Sequence, residues 1–116
     1  MSVIFGTEKY TGQIEISEEN AIITLAEWHE WNNGREAVLP RNQFAEVVEA
    51  LEAALDGKNF VRSFMFGSAK YTGRLSPNGI EGQAALLEVT EWSDWNNGEE
   101  AIIFDAQARE IIAALS

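Results

Sequence analysis

Two pairs of tryptophans at the same spacing are the residues of this chain best suited to binding chemistry: Trp28 and Trp31 in Glu27-Trp-His-Glu-Trp-Asn-Asn-Gly34, and Trp92 and Trp95 in Glu91-Trp-Ser-Asp-Trp-Asn-Asn-Gly98. Indole rings stack on flat ligands and fill protein contacts, and in a regular strand a spacing of three sends the two rings of a pair to opposite faces. Trp31 and Trp95 fall on the core parity, Trp28 and Trp92 on the outer one. An outward tryptophan present twice is a lid over the same chain, a contact with a partner or second copy, or a stacking platform. The other candidate is the segment 57–80, which holds Lys58, Arg62, Lys70 and Arg74 and no acid in a chain of formal charge −11. If Phe60 to Arg74 is a strand and a turn, then Arg62, Phe64, Phe66, Lys70, Thr72 and Arg74 share one parity. Cations interleaved with rings suit a single-stranded nucleic acid, whose phosphates take the charge while its bases stack. In the corresponding stretch, Val3 to Gln13, the one cation is Lys9.

Other chemistry is excluded by inventory. There is no Cys, so thiol nucleophiles, thiolate metal sites and disulfides are absent. The single histidine, His29, has Ser93 as its counterpart, and reads as a hydrogen-bonded or solvated edge residue rather than a catalyst or ligand. Glu18 with Glu19, and Glu99 with Glu100, are neighbours that point apart in a strand or turn and read as solvated charge. No Gly-rich phosphate loop, nucleophile elbow or metal-ligand spacing is present. The expectation is therefore a protein with no catalytic residues, no metal and no cofactor. The negative charge argues against a surface that grips nucleic acid or an anionic membrane all over. No run approaches the ~20 apolar residues of a membrane span, and Met1 to Glu8 does not read as a secretory leader, so a soluble, cytoplasmic location is expected.

The elements that position these residues come in duplicate. Gly6-Thr-Glu-Lys-Tyr-Thr-Gly12 recurs as Gly67-Ser-Ala-Lys-Tyr-Thr-Gly73, and the tryptophan motif recurs with three more residues between. The extra residues are placed in a loop at Ser76 to Gly82. Each unit predicts strands at Ile4 to Tyr10 and Gln13 to Ser17 around a Thr11-Gly12 turn. A long strand follows from Ala21 to Trp31, with Ile23 and Leu25 on its core face. Asn32-Asn33-Gly34 then reads as a hairpin turn before a short strand to Leu39. Pro40 fits the first turn of a helix whose stripe is Phe44, Val47, Val48, Leu51 and Leu55. Asp105 is the expected N-cap of the second helix, with Ala108, Ile111, Ile112 and Leu115 as its stripe. Neither half, 1–57 or 58–116, holds enough apolar surface alone. The fold class is α+β: a tandem ββββα repeat forming an intramolecular pseudo-two-fold pair of antiparallel sheets with one helix each, together one compact domain.

A strand ending in an acidic-Trp element, a Gly turn, a short apolar strand and Pro-Arg-Asn-Gln-Phe leading an amphipathic helix resembles the single-stranded-DNA-binding fold of transcriptional positive cofactor four. Two such units in one chain resemble the Whirly proteins. The resemblance implies a non-enzymatic nucleic-acid-binding module with a single-stranded DNA or RNA partner and a role in transcriptional regulation. It places binding on curved sheet faces, with Lys9, Trp28, Lys70, Arg74 and Trp92 at the matching positions; Arg62, from the basic segment, completes the expected nucleic-acid-binding residues. The sheets of that family are basic, whereas Glu8, Glu15, Glu36, Glu88, Glu99 and Glu100 fall on or beside these, so the expected binding is either weak or confined to the Lys58 to Arg74 region. The alternative is an acidic protein-interaction or assembly domain, with the tryptophans buried in a protein or homo-oligomer contact. A sugar-binding module is a third class, suggested by the duplicated Trp and Asn-Asn-Gly loops.

Overall fold

The structure, a computed structural model, describes residues 1–57 and 63–116. Lys58 and Arg62 of the basic segment lie outside the described residues. The first unit is β1 (Ser2–Gly6), β2 (Tyr10–Ile16), β3 (Asn20–Glu27), β4 (Arg35–Pro40) and α1 (Phe44–Leu55). The second is β5 (Phe64–Gly67), β6 (Tyr71–Ile80), β7 (Gln83–Glu91), β8 (Glu99–Phe104) and α2 (Asp105–Leu115). Each unit makes one antiparallel four-stranded meander, in the orders β1-β2-β3-β4 and β5-β6-β7-β8.

The inner faces carry the apolar alternation. Val3, Phe5, Ile14, Ile23, Leu25 and Leu39 of the first sheet, and Phe66, Leu75, Leu87, Val89 and Ile103 of the second, join helix residues Val47, Leu51, Ala108 and Ile111 in one continuous core. Each fully buried Leu or Phe there contributes about 1.5–3 kcal/mol, so the two halves stabilise each other. Two glutamines at equivalent positions tie the halves reciprocally. Gln43 Nε2 donates to the Met65 carbonyl at 3.3 Å, and Gln107 Oε1 accepts from Gly6 N–H at 2.9 Å while its Nε2 donates back to the Gly6 carbonyl at 3.3 Å.

Several local expectations give way to packing. The first turn is Thr7 to Lys9, with Thr11 and Gly12 inside β2 (Gly6 pairs with Thr11). The turn sits earlier because Gly12 is needed opposite Phe5, where a Cβ would lie 2.1 Å from the ring's Cζ; Gly73 does the same under Phe66. Residues Ser76 to Gly82 lengthen the β6–β7 hairpin, with a register shift after Pro77, instead of forming a separate loop, and β7 shifts register against β8 after Gln83. Pro40 ends β4 in extended conformation, and a 3-10 turn, Arg41–Gln43, precedes α1. Asp105 is the first residue of α2 and not its cap; Gln107 Oε1 accepts the Phe104 N–H at 3.2 Å in that role.

The tryptophan segments depart most. β3 and β7 stop at Glu27 and Glu91, before either tryptophan. Trp28 and His29 have φ of 53° and 62°, and Trp92 and Ser93 of 52° and 59°. With Glu30 N–H donating to the Glu27 carbonyl, and Asp94 N–H to that of Glu91, each at 3.0 Å, these are tight left-handed turns of the I′ kind. Short 3-10 turns, Trp31–Asn33 and Trp95–Asn97, follow. Gly34, predicted to supply the positive φ, is extended at −78°. It is required by space: a Cβ there would meet the Leu25 carbonyl at 2.8 Å and the outer-face Thr24 methyl at 3.1 Å. The connection thus folds back over the outer face, and Trp31 and Trp95 are half-buried outside the core rather than within it.

Candidate nucleic-acid interface

Both left-handed turns sit where β3 and β7 end, and the first hairpins of each sheet end beside them. Trp28 N–H donates to the Lys9 carbonyl at 3.0 Å and Trp92 N–H to the Lys70 carbonyl at 2.9 Å. Lys9 Nζ stands 5.1 Å from the Tyr10 ring centroid, and Lys70 Nζ 5.1 Å from that of Tyr71. The lysines, the half-exposed tyrosines and the outermost tryptophans (57% and 67% exposed) form two equivalent clusters of a cation and two rings. Of the candidate residues, the structure brings Lys9 to Trp28 and Lys70 to Trp92.

The clusters share one end of the molecule. Arg35 at the start of β4 pairs with Glu91 beside Trp92, N to O 3.3 Å, so that the hairpins of the two halves meet across the pseudo-two-fold axis. An open depression of about 550 Å³ there is lined by Arg35, Thr90, Glu91, Trp92, Asp94 and Asn97. The axis exposes an asymmetry. Residues equivalent to Glu91 and Arg35 are Glu27 and Glu99, two acids in place of an ion pair. Burial first, and then Glu27, push the Glu99 carboxyl above its ordinary value of 4.5, while Arg35 pulls it back.

Arg74 lies apart from these clusters, on the outer face of β6 opposite Glu88. Its Nε and Nη2 both donate to Glu88 Oε1, at 3.0 and 2.9 Å, and its guanidinium lies 4.0 Å from the Trp95 ring centroid. Charge and flat face are both engaged within the chain. The single parity expected for Phe66, Thr72 and Arg74 does not hold: the turn between β5 and β6 puts Phe66 in the core with Gly73 opposite, and Arg74 on the other face beside Met65. Among the described residues Arg74 is the one cation on either outer sheet face, against Glu88 and Glu100 there and Glu15 and Glu36 on the first sheet. Exposed Ile4, Ile22, Val38 and Met65 lie among these acids. The curved sheet faces are therefore acidic and apolar, and the lysines sit at their rim. Sequence reasoning missed Tyr10 and Tyr71, although each follows a lysine in the Lys-Tyr-Thr-Gly repeat.

No cluster of three or more metal-ligating side chains occurs among the described residues, and none of their helices is long and apolar enough to cross a membrane. No family profile matches the sequence, and no curated protein matches it significantly. The fold is shared with solved structures. One, described as "Structure of a guideRNA-binding protein complex bound to a gRNA", superposes with a TM-score of 0.65 at 12% identity, covering 99% of this chain and 85% of the other. The Trypanosoma bruciei MRP1/MRP2 structure superposes at 0.59 with 14% identity, covering 99% and 79%. At these identities the likeness is one of fold: the tandem ββββα pair is an arrangement already seen in those proteins.

Proposed function

We propose that this chain is a non-enzymatic module that binds single-stranded nucleic acid, RNA before DNA, at the end face where the two tryptophan turns meet. The observation that carries this is the twofold occurrence of an exposed, left-handed tryptophan hydrogen-bonded to the backbone of a lysine that itself stands over a tyrosine ring. Unpaired bases stack on such rings while the lysines take phosphates. A large aromatic residue at positive φ is strained by about 1–2 kcal/mol, and strain kept twice marks a site held for a purpose other than stability. The fold shared with a protein complex described as guide-RNA-binding supports the choice of RNA. The resemblance to positive cofactor four and the Whirly proteins supports the wider class; a role in transcription rests on that resemblance.

The test is quenching of tryptophan fluorescence by a mixed-sequence single-stranded oligonucleotide, as RNA and as DNA. Two lysines give a salt slope near −1.4, so affinity should fall about 25-fold between roughly 20 and 200 mM salt. Lys9→Glu and Lys70→Glu should each weaken binding, and Arg109→Glu on α2 should not. Absence of saturable quenching at the lower salt, or an equal effect of Arg109→Glu, refutes the proposal. The acidic outer faces with Ile4, Ile22, Val38 and Met65 exposed favour a second reading, an acidic protein-interaction or assembly domain, which that negative result would leave in place.

A further inference from the structure

The two tryptophan hairpins are built from the same motif but differ at four positions in and beside it. In the second, Arg74 covers the Trp95 ring and is locked there by Glu88, and Asn97 Nδ2 donates to Asp94 Oδ2 at 2.8 Å. In the first, Gln13 and Thr24 hold the cross-strand positions of Arg74 and Glu88. The guanidinium lid and its lock are thereby both gone from over Trp31. Asn33 N–H still donates to the Glu30 carbonyl at 3.0 Å, as Asn97 N–H does to that of Asp94 at 3.1 Å, but no side-chain bond joins Asn33 to Glu30 among the described residues, and His29 replaces Ser93. The His29 ring stands edge-on to Trp31, centroids 6.0 Å apart and planes at 74°. An open depression of about 400 Å³ is lined by His29, Glu30, Trp31, Asn32 and Asn33.

From these differences we infer that the first hairpin is an aromatic slot for one unpaired nucleobase, and that the second is the same slot closed by its own arginine. Trp31 supplies the stacking face and His29 a second ring at its edge. The side chains of Asn32, Asn33 and Glu30 offer donors and acceptors to the edge of the base, the way unpaired bases are read in single strands. The lone histidine and the first Asn-Asn pair, left over by a phosphate-and-stacking account, thereby acquire a role. The two repeats bind unequally, with the sequence-selective contact in the first half.

This rests on the nucleic-acid reading above, and the test separates the two. Trp31→Ala is confounded by folding, because the ring is half-buried, so the closing pair is moved instead. Gln13→Arg/Thr24→Glu installs the lid over Trp31, and Arg74→Gln/Glu88→Thr removes it from Trp95; each leaves net charge unchanged. Affinity for a mixed-sequence single-stranded RNA is measured by anisotropy on the intact protein across salt. One stacked base gained or lost corresponds to about a tenfold change. Gln13→Arg/Thr24→Glu should lower affinity about tenfold and Arg74→Gln/Glu88→Thr should raise it several-fold, both with the wild-type salt slope. Failure of either variant to move in its stated direction, or a shift arising from an altered salt slope, overturns the slot. Absence of any binding by the wild type overturns the nucleic-acid function itself, and the slot with it.

Discussion

Replacing Glu99 with Arg should raise the melting temperature by up to about 4 °C at low salt, because it completes an ion pair that the pseudo-two-fold axis already holds once. Arg35 and Glu91 meet at 3.3 Å with about a third of each side chain exposed. At the equivalent place Glu27 faces Glu99 and helps to raise its pKa. A partly exposed pair is worth about 0.2–1 kcal/mol; the repulsion relieved and attraction gained at Glu27 outweigh the Arg35 attraction given up, because Glu27 acts on Glu99 more strongly than Arg35 does, so the net contribution is at most about 1 kcal/mol. With an unfolding entropy of about 2.1 cal/mol/K per residue, a chain of 116 residues shifts by about 4 °C for that amount. The assay is thermal unfolding by circular dichroism in dilute and in concentrated salt. Glu99→Gln removes only the repulsion and the desolvated charge, and should give about half the gain. Since the folded-state pKa of Glu99 lies above 4.5, the carboxyl costs stability at neutral pH, and that cost fades as pH falls through the raised value towards 4.5. The advantage of Glu99→Gln must therefore shrink on acidification. An unchanged or lower melting temperature for Glu99→Arg in dilute salt, or a gain that concentrated salt does not diminish, would refute the electrostatic account of the seam.

Two further substitutions test the packing and the strained turns. Gly12→Ala puts a Cβ 2.1 Å from Phe5 Cζ and should cost about 1–3 kcal/mol in chemical denaturation; combining it with Phe5→Leu should recover part of that loss, and strict additivity would show that the ring is not the obstacle. Trp28→Asn places a residue tolerant of the left-handed region at φ 53°, so stability should hold or rise by up to about 1 kcal/mol while RNA affinity falls. A large loss of stability would mean that the Trp28 ring serves the fold.

The alternation of Ile23 and Leu25, the stripe of Val47 and Leu51, and the doubled Lys-Tyr-Thr-Gly and Trp-Asn-Asn-Gly motifs sufficed for the class, the strand order and the pairing of the halves. These are local periodicities whose buried face must find a partner, so one dimension carries them. Turn positions were less legible: Thr11-Gly12 and Asn33-Gly34 have the composition of turns, yet both glycines serve close approach, under Phe5 and over Leu25. Composition cannot distinguish a glycine chosen for its φ from one chosen for lacking a Cβ; that depends on what lies opposite.

The candidate site divides the same way. The sequence alone determined that two tryptophans would stand outward and that Lys9 and Lys70 occupy equivalent places, because a repeated motif folds alike in both units and puts its shared residues in equal positions. Only the tertiary structure decided that the lysines and tryptophans meet, that Trp31 and Trp95 fold onto the outer faces, and that Arg74 is held by Glu88 and Trp95. Those contacts join strands through backbone turns at positive φ, and a residue such as Trp28 enters that conformation only when the surrounding chain compels it.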